Sequence, residues 1–279
     1  MKAEGNSVQK FTETEVNAYK TNGYIIPKYQ LPEGLVARLQ HGVEAAISRF
    51  TEFKPEDIAN PHFIEYPDSG DRNPFLEVAS HPQILDYVEQ LIGPDIILWI
   101  TRILCKPSVK GREVPWHQDG EYWPMRPLET CTVWIALDEV STENGCMRFI
   151  PGSHQSEGLY RHHMSDRKDL VLNLELDEDQ YDESTAVNVE LPLGGMSMHH
   201  VKLIHGSLAN QSSQRRAALV MRYMPASSFY DRTLVNHDRF KSPFNIAEQP
   251  LLLMRGKDAT GKNDLTFGHD LWREKYSIK

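Results

Sequence analysis

The chain has 279 residues, of which 40% are hydrophobic and 25% charged, enough for a sizeable buried core and ordinary for a globular protein. A net charge of −9, from 39 acidic against 30 basic residues, excludes a broad basic face for nucleic acid or an anionic membrane, but leaves room for a local basic pocket. No stretch approaches a membrane-spanning apolar length, the polar N-terminus lacks a signal core, and three cysteines without CxxC spacing suit buried thiols, so a cytoplasmic protein is expected.

From about residue 10 to 94 the pattern is helical. Thr12 with Glu15 three positions later has the capping-box spacing, and Asn22-Gly23 closes that short helix. A second helix starts near Pro32 and carries Leu35, Leu39, Val43, Ile47 and Phe50 as one apolar stripe. A third opens at His81-Pro82, carries Ile84, Leu85, Val88, Leu91 and Ile92, and stops at Gly93-Pro94.

The texture changes from about residue 95 to 225. Ile96–Ile100, Cys131–Leu137, Val187–Leu191, Met196–Ile204 and Ala217–Tyr223 are apolar and rich in β-branched or aromatic residues. Turn signals at Lys106-Pro107, Glu143-Asn144-Gly145, Pro151-Gly152-Ser153 and Leu193-Gly194-Gly195 separate them. Frequent short strands imply a mainly β domain, a sandwich or jelly roll, with helices packed outside. Residues 155–186 interrupt this with a charged insertion, either a lid over a site or a solvated loop. The C-terminal extension, 226–279, is mixed. The whole chain reads as a single domain.

Chemistry begins at Trp116-His117-Gln118-Asp119. In a strand, residues two apart share a face, so His117 and Asp119 can reach one ion together. Alone, His-x-Asp arises readily by chance in a chain with 12 histidines. A third ligand is offered by His205, at the end of a predicted strand. Two histidines and one carboxylate on one side of an ion leave its other side open, the arrangement of non-haem iron(II) oxygenases. Arg216 follows eleven residues after His205, and a hairpin of that length returns it beside the metal. Its guanidinium fork matches a carboxylate through two parallel hydrogen bonds, as a dicarboxylate co-substrate requires.

These segments, together with Tyr122-Trp123-Pro124, Thr132-Val133-Trp134, Glu143-Asn144-Gly145-Cys146-Met147, Ile150-Pro151-Gly152-Ser153-His154 and His205-Gly206-Ser207 through Asn210, resemble the phytanoyl-CoA dioxygenase family of iron(II)/2-oxoglutarate oxygenases over about 100–225. The resemblance implies a double-stranded β-helix (jelly-roll, cupin-like) core with His117, Asp119 and His205 as ligands of Fe(II). It implies Arg216 on the distal carboxylate of 2-oxoglutarate, with Trp134, Ser207 and Thr132 lining that site. Arg102, on the strand before the motif, reaches the co-substrate or an acidic substrate, or is structural. One departure is Gly194-Gly195-Met196, where many relatives carry Gly-Asp; it stands in a turn remote from the ligands. The retained Asp119 disfavours halogenation.

Tyr122 and Trp123 either wall the substrate side of the pocket or pack in the core, and His62, beside Phe63 and Tyr66, is a further substrate candidate. His154 reads as a structural loop residue, His199 or His200 as packing, and His162-His163 as exposed or part of a lid. The implied reaction uses O2 and 2-oxoglutarate to hydroxylate a small organic substrate, releasing succinate and CO2. Desaturation, demethylation and cyclisation start from the same hydrogen abstraction. A zinc hydrolase and a non-catalytic jelly-roll binding module are the readings from other classes. Substrate identity and oligomeric state are not written in the sequence.

Overall fold

A computed structural model of the chain describes residues 9–56, 58–66, 73–234 and 245–277; the opening polar segment lies outside the described residues. Helix α1 (Glu13–Asn22) begins with the expected capping box, in which the Thr12 hydroxyl accepts from the Glu15 N–H and the Glu15 carboxylate accepts from the Thr12 N–H. It ends at Gly23, whose φ of 82° lies in the left-handed region, and a Cβ there would fall 2.6 Å from the His154 ring. Strand β1 (Tyr24–Ile25) follows, then α2 (Glu33–Arg49), which buries Leu35, Leu39 and Val43 of the expected stripe. Each such side chain contributes about 1.5–3 kcal/mol on burial.

Next come β2 (Ile58–Ala59), α3 (Pro74–Ala79) and α4 (Pro82–Ile92). The third expected helix is α4, while α3 was not foreseen: it is only six residues long and is started by the Asn73 side chain, which accepts from the Phe75 and Leu76 N–H groups. The strand expected at Ile96–Ile100 runs further, as β3 (Ile96–Lys106). After it come β4 (Val114–His117), β5 (Met125–Arg126), β6 (Cys131–Ala136), β7 (Met147–Phe149), β8 (His162–Met164), β9 (Leu174–Leu176) and β10 (Val187–Val189). The chain continues through β11 (Met196–His200), β12 (His205–Ser207), β13 (Arg216–Pro225), β14 (Phe229–Tyr230), β15 (Leu252–Arg255) and α5 (His269–Tyr276).

Among the described residues these strands form a seven-stranded sheet in the order β1-β11-β6-β13-β3-β15, with β2 also on β3, and a four-stranded sheet in the order β10-β7-β12-β4. Two small pairs, β14-β5 and β8-β9, stand beside them. The two main sheets face each other as a jelly roll. Trp134, Ala136, Ala218 and Val220 of the large sheet meet Met147, Phe149 and Val189 of the small one. The alternate residues of β13, Ala217, Leu219 and Met221, turn to the other face and join the helices in the main core. Period two thus assigns inner and outer faces along the longest strands.

Two connections differ from expectation. Met196–Ile204 is not one strand: β11 ends at His200, the Leu203 N–H turns back onto the His200 carbonyl, and the chain leaves the large sheet for the small one. The link from β12 to β13 is likewise a crossing between sheets and not a hairpin. Asn210, fully buried, pins this crossing by donating from its amide to the Pro107 and Gln214 carbonyls. The C-terminal extension is knitted into the fold, since β15 pairs with β3 and the Tyr276 hydroxyl donates to the Ala59 carbonyl. Among the described residues no helix is long and apolar enough to cross a membrane.

Candidate metal and co-substrate site

Strand β4 delivers His117 to the space between the sheets and then stops. Asp119 lies in the 3-10 turn Asp119–Glu121, just past the strand in which the sequence placed it. Gln118 keeps an extended backbone (φ −115°, ψ 125°), so alternation persists and Asp119 still shares the face of His117. Gln118 itself points the other way, fully buried. Its amide donates to the Lys202 carbonyl and its side-chain oxygen accepts from the Tyr160 N–H, while its backbone N–H donates to the His162 ring. This residue, unnoticed in the sequence, ties the metal turn to two remote segments.

His205 opens β12 directly opposite His117 in register. The strands approach closely because Gly206 lies between them: a Cβ there would sit 3.0 Å from the Val114 carbonyl oxygen. In both imidazoles Nδ1 lies 2.8–2.9 Å from a backbone carbonyl, Pro115 for His117 and Leu203 for His205. A carbonyl only accepts, so Nδ1 carries the proton and Nε2 keeps its lone pair for a metal. Nε2 of His117 is 3.8 Å from Asp119 Oδ1, and Nε2 of His205 is 3.9 Å from Oδ2. The three donors all lie within 4.8 Å of one another and all three residues are buried.

The electrostatics suit a cation. Burial alone would raise the Asp119 carboxyl, but Arg222 and the two imidazoles hold it well below the usual carboxylate range, so it is ionised at neutral pH. Its Oδ2 is buried with no hydrogen-bond partner among the described residues. Burial, then the neighbouring His117, pushes His205 down to about 4, which keeps it neutral. Two imidazoles with Nε2 turned inward and one carboxylate, whose Oδ2 is buried and orphaned, fit a divalent transition metal.

That cavity is lined by every residue expected around the co-substrate: Arg102, Thr132, Trp134, Ser207 and Arg216, beside the triad. Arg215 and Arg216 are neighbours at the start of β13 and so point to opposite faces. Arg215 forks onto Asp138, both contacts at 2.9 Å, which turns Arg216 inward. Arg216 is 3% exposed, its guanidinium lies 5.3 Å from the Trp134 ring centre, and its Nε has no partner among the described residues. Burial pushes it down to about 10, still a cation at neutral pH. Such a group fits a carboxylate arriving from outside the chain. The Thr132 hydroxyl is buried and likewise lacks a partner among the described residues.

Tyr122 and Trp123 both line the cavity. His62 does not: it is buried beneath, with Nδ1 2.7 Å from the Thr101 hydroxyl, because Thr101 lies on the face of β3 opposite Arg102. His199, expected as packing, lies tilted against His205 (4.9 Å between ring centres, 50° between planes) and also borders the cavity. His200 pairs outward with Glu129, and His154 makes the expected structural contact, to the Lys20 carbonyl. The insertion 155–186 packs onto the core: β8 and β9 pair, Leu170, Leu174 and Leu176 are buried, and Val171, Leu172 and Asn173 line the cavity. Within it His162 is engaged by Gln118, whereas His163 faces out to Asp177. The residue most clearly missed is Arg222, buried at the cavity wall with Nη2 3.5 Å from Asp119 Oδ1.

Known proteins resemble this chain in sequence and in overall fold. The model of the phytanoyl-CoA dioxygenase (PhyH) family matches residues 19–218. A probable phytanoyl-CoA dioxygenase of Caenorhabditis elegans is 29% identical over 229 residues, covering 74% of this chain and 72% of that protein. Among solved structures, the apo form of the non-heme monooxygenase ThoJ has a TM-score of 0.67 at 26% identity, covering 89% of this chain and 85% of that one. The non-heme alpha-ketoglutarate-dependent carbocyclase SnoK, from nogalamycin biosynthesis, has a TM-score of 0.63 at 25% identity, covering 79% and 86%.

Proposed function

The chain belongs to the phytanoyl-CoA dioxygenase family and is an iron(II)/2-oxoglutarate-dependent oxygenase acting on a small molecule, and from that premise we propose that His117, Asp119 and His205 hold the iron while Arg216 receives the distal carboxylate of 2-oxoglutarate. The observation that carries this assignment is the convergence of three ready donors and one buried guanidinium on a single cavity. When bound, iron(II) and 2-oxoglutarate supply oxidising power drawn from O2, with succinate and CO2 as co-products.

The protein's own part is positioning. The two Nδ1–carbonyl bonds fix which imidazole nitrogens face the ion, and Asp119 brings a charge that needs no deprotonation at neutral pH. Trp134 lies against the Arg216 guanidinium, Ser207 lines the same cavity and Thr132, opposite Arg222 in register, stands at its other end, so together they limit how a dicarboxylate can lie. Tyr122, Trp123 and the segment Val171–Asn173 wall the remaining space, where substrate is held at a fixed distance from the metal. Hydroxylation of an unactivated C–H bond is the outcome proposed; the carbocyclase relative supports cyclisation as an alternative from the same start. A zinc hydrolase gives the buried Arg216 no task. Three buried, unbridged cysteines support a reducing, cytosolic setting.

Metal analysis after anaerobic purification, then succinate release with and without metabolite fractions, tests this reading. Substrate-stimulated succinate in the wild type and none in Asp119→Ala is the expected result. Tight zinc binding with no uptake of 2-oxoglutarate would refute it.

A further inference from the structure

Beyond the groups assigned so far, the cavity holds a second cationic wall. Arg222 is buried on β13, six residues from Arg216, which places the two Cα atoms roughly 20 Å apart along the strand. Its guanidinium lies 4.7 Å from the Trp123 ring centre and 6.0 Å from that of Trp99. Arg102 is its diagonal neighbour across the sheet, because Arg222 pairs with Ile100 and Val220 with Arg102. Between Arg222 and Tyr223 the register skips Trp99, a bulge that leaves this ring at the cavity wall.

Asp119 does not satisfy Arg222. Their contact, 3.5 Å, is well beyond the 2.7–2.9 Å or so of a charge-assisted hydrogen bond, and Asp119 is also the carboxylate assigned to the metal. Arg222 Nε and Trp99 Nε1 are both buried donors with no partner among the described residues. The charges point the same way. A ferrous ion with Arg216 and Arg222 brings four positive charges, and Asp119 with the 2-oxoglutarate dianion brings three negative ones. One positive charge is left over even with Arg102, which has contacts of its own, outside the count. An uncompensated buried charge is strongly unfavourable, and a ligand that neutralises it is strongly preferred over one that does not.

We propose that Arg222, flanked by Arg102 and Trp99, is an oxyanion subsite for the substrate: the enzyme acts on a small acid, a carboxylate or phosphonate, whose carbon skeleton lies against Trp123 and Tyr122. This deepens the co-substrate reading above and rests on it.

The test uses full-length protein loaded with Ni(II), which is inert toward O2 here, and saturated with 2-oxoglutarate. Propionate, hexanoate and benzoate, each against its primary amide, and phenylphosphonate against its neutral diester, are titrated by calorimetry. In the wild type at least one acid is expected to bind ten-fold or more tightly than its neutral partner. Arg222→Gln is expected to bring that ratio within three-fold while its affinity for 2-oxoglutarate changes less than three-fold. Arg222→Lys keeps part of the preference, and Arg102→Gln lowers it at least three-fold, so the comparison survives if the glutamine variant at 222 folds poorly. The proposal is overturned if no acid is preferred, if Arg222→Gln keeps the preference, or if its loss falls on 2-oxoglutarate instead. A wild type that takes up no 2-oxoglutarate with metal bound overturns the co-substrate reading, and this subsite with it.

Discussion

Replacing Arg216 by alanine is the sharpest probe of the co-substrate assignment. The side chain is 3% exposed and stacked on Trp134, so a carboxylate bound to it is desolvated and its loss is not made good by water. Truncating one partner of a buried hydrogen-bonded charge pair costs about 2–5 kcal/mol. At about 1.4 kcal/mol per decade, the dissociation constant for 2-oxoglutarate should rise roughly 30- to 4,000-fold. Metal affinity should change by less than about three-fold, because Arg216 is not among the donors and forms no ion pair with Asp119. Calorimetric titration of the metal, then of 2-oxoglutarate into the metal-loaded protein, separates the two. Arg216→Lys keeps the charge but loses the fork, and should recover about one decade. In the absence of 2-oxoglutarate the alanine variant should be at least as resistant to urea as the wild type, since it no longer buries an unpaired cation. Equal losses of metal and 2-oxoglutarate affinity would refute the reasoning.

Other expectations follow from single residues. Asp119→Asn should abolish tight iron binding, and a chelator should lower the melting temperature of the wild type but not of this variant, since a ligand held at 100 times its Kd adds about 2.7 kcal/mol to folding stability. Asn210→Ala should cost about 2–4 kcal/mol in urea denaturation, because the Pro107 and Gln214 carbonyls lose their buried donor; an unchanged midpoint would show that the crossing does not depend on it. Burial, then His269, lowers His62 from 6.5 to about 3, so the unfolded chain takes up a proton there before the folded one does and stability falls as pH drops from 6.5 toward 3. Relative to His62→Gln, the wild type should lose about 2 kcal/mol more between pH 7 and pH 5; parallel denaturation curves would contradict this.

The parts of the molecule legible in the sequence are those fixed by local chemistry. A capping box, an αL glycine and an apolar stripe each act within a few residues, and α1, α2 and α4 appeared where those signals lie. Alternation along β13 gives Arg222 the same parity as Arg216, but parity alone does not say which face of the strand meets a cavity six residues further on. The crossings after β11 and β12 were not legible, because they are held by contacts between residues far apart in the chain, Asn210 with Pro107 and Gln118 with Lys202. His62 was misplaced for a related reason: an aromatic neighbourhood in sequence says nothing about which face of β3 it will meet.

The imidazoles of His117 and His205 are each tethered to the carbonyl two positions earlier in their own chain. No other side chain takes part in either tether. The two imidazoles proposed as ligands are therefore insulated from the identity of much of the wall, and Val171, Leu172 or Asn173 can be exchanged without disturbing either tether, whereas Asp119 contacts Arg222, which packs on Trp123 and Trp99. Such a scaffold separates what must stay constant from what can drift, so altered selectivity is reachable by a few wall replacements while iron uptake persists.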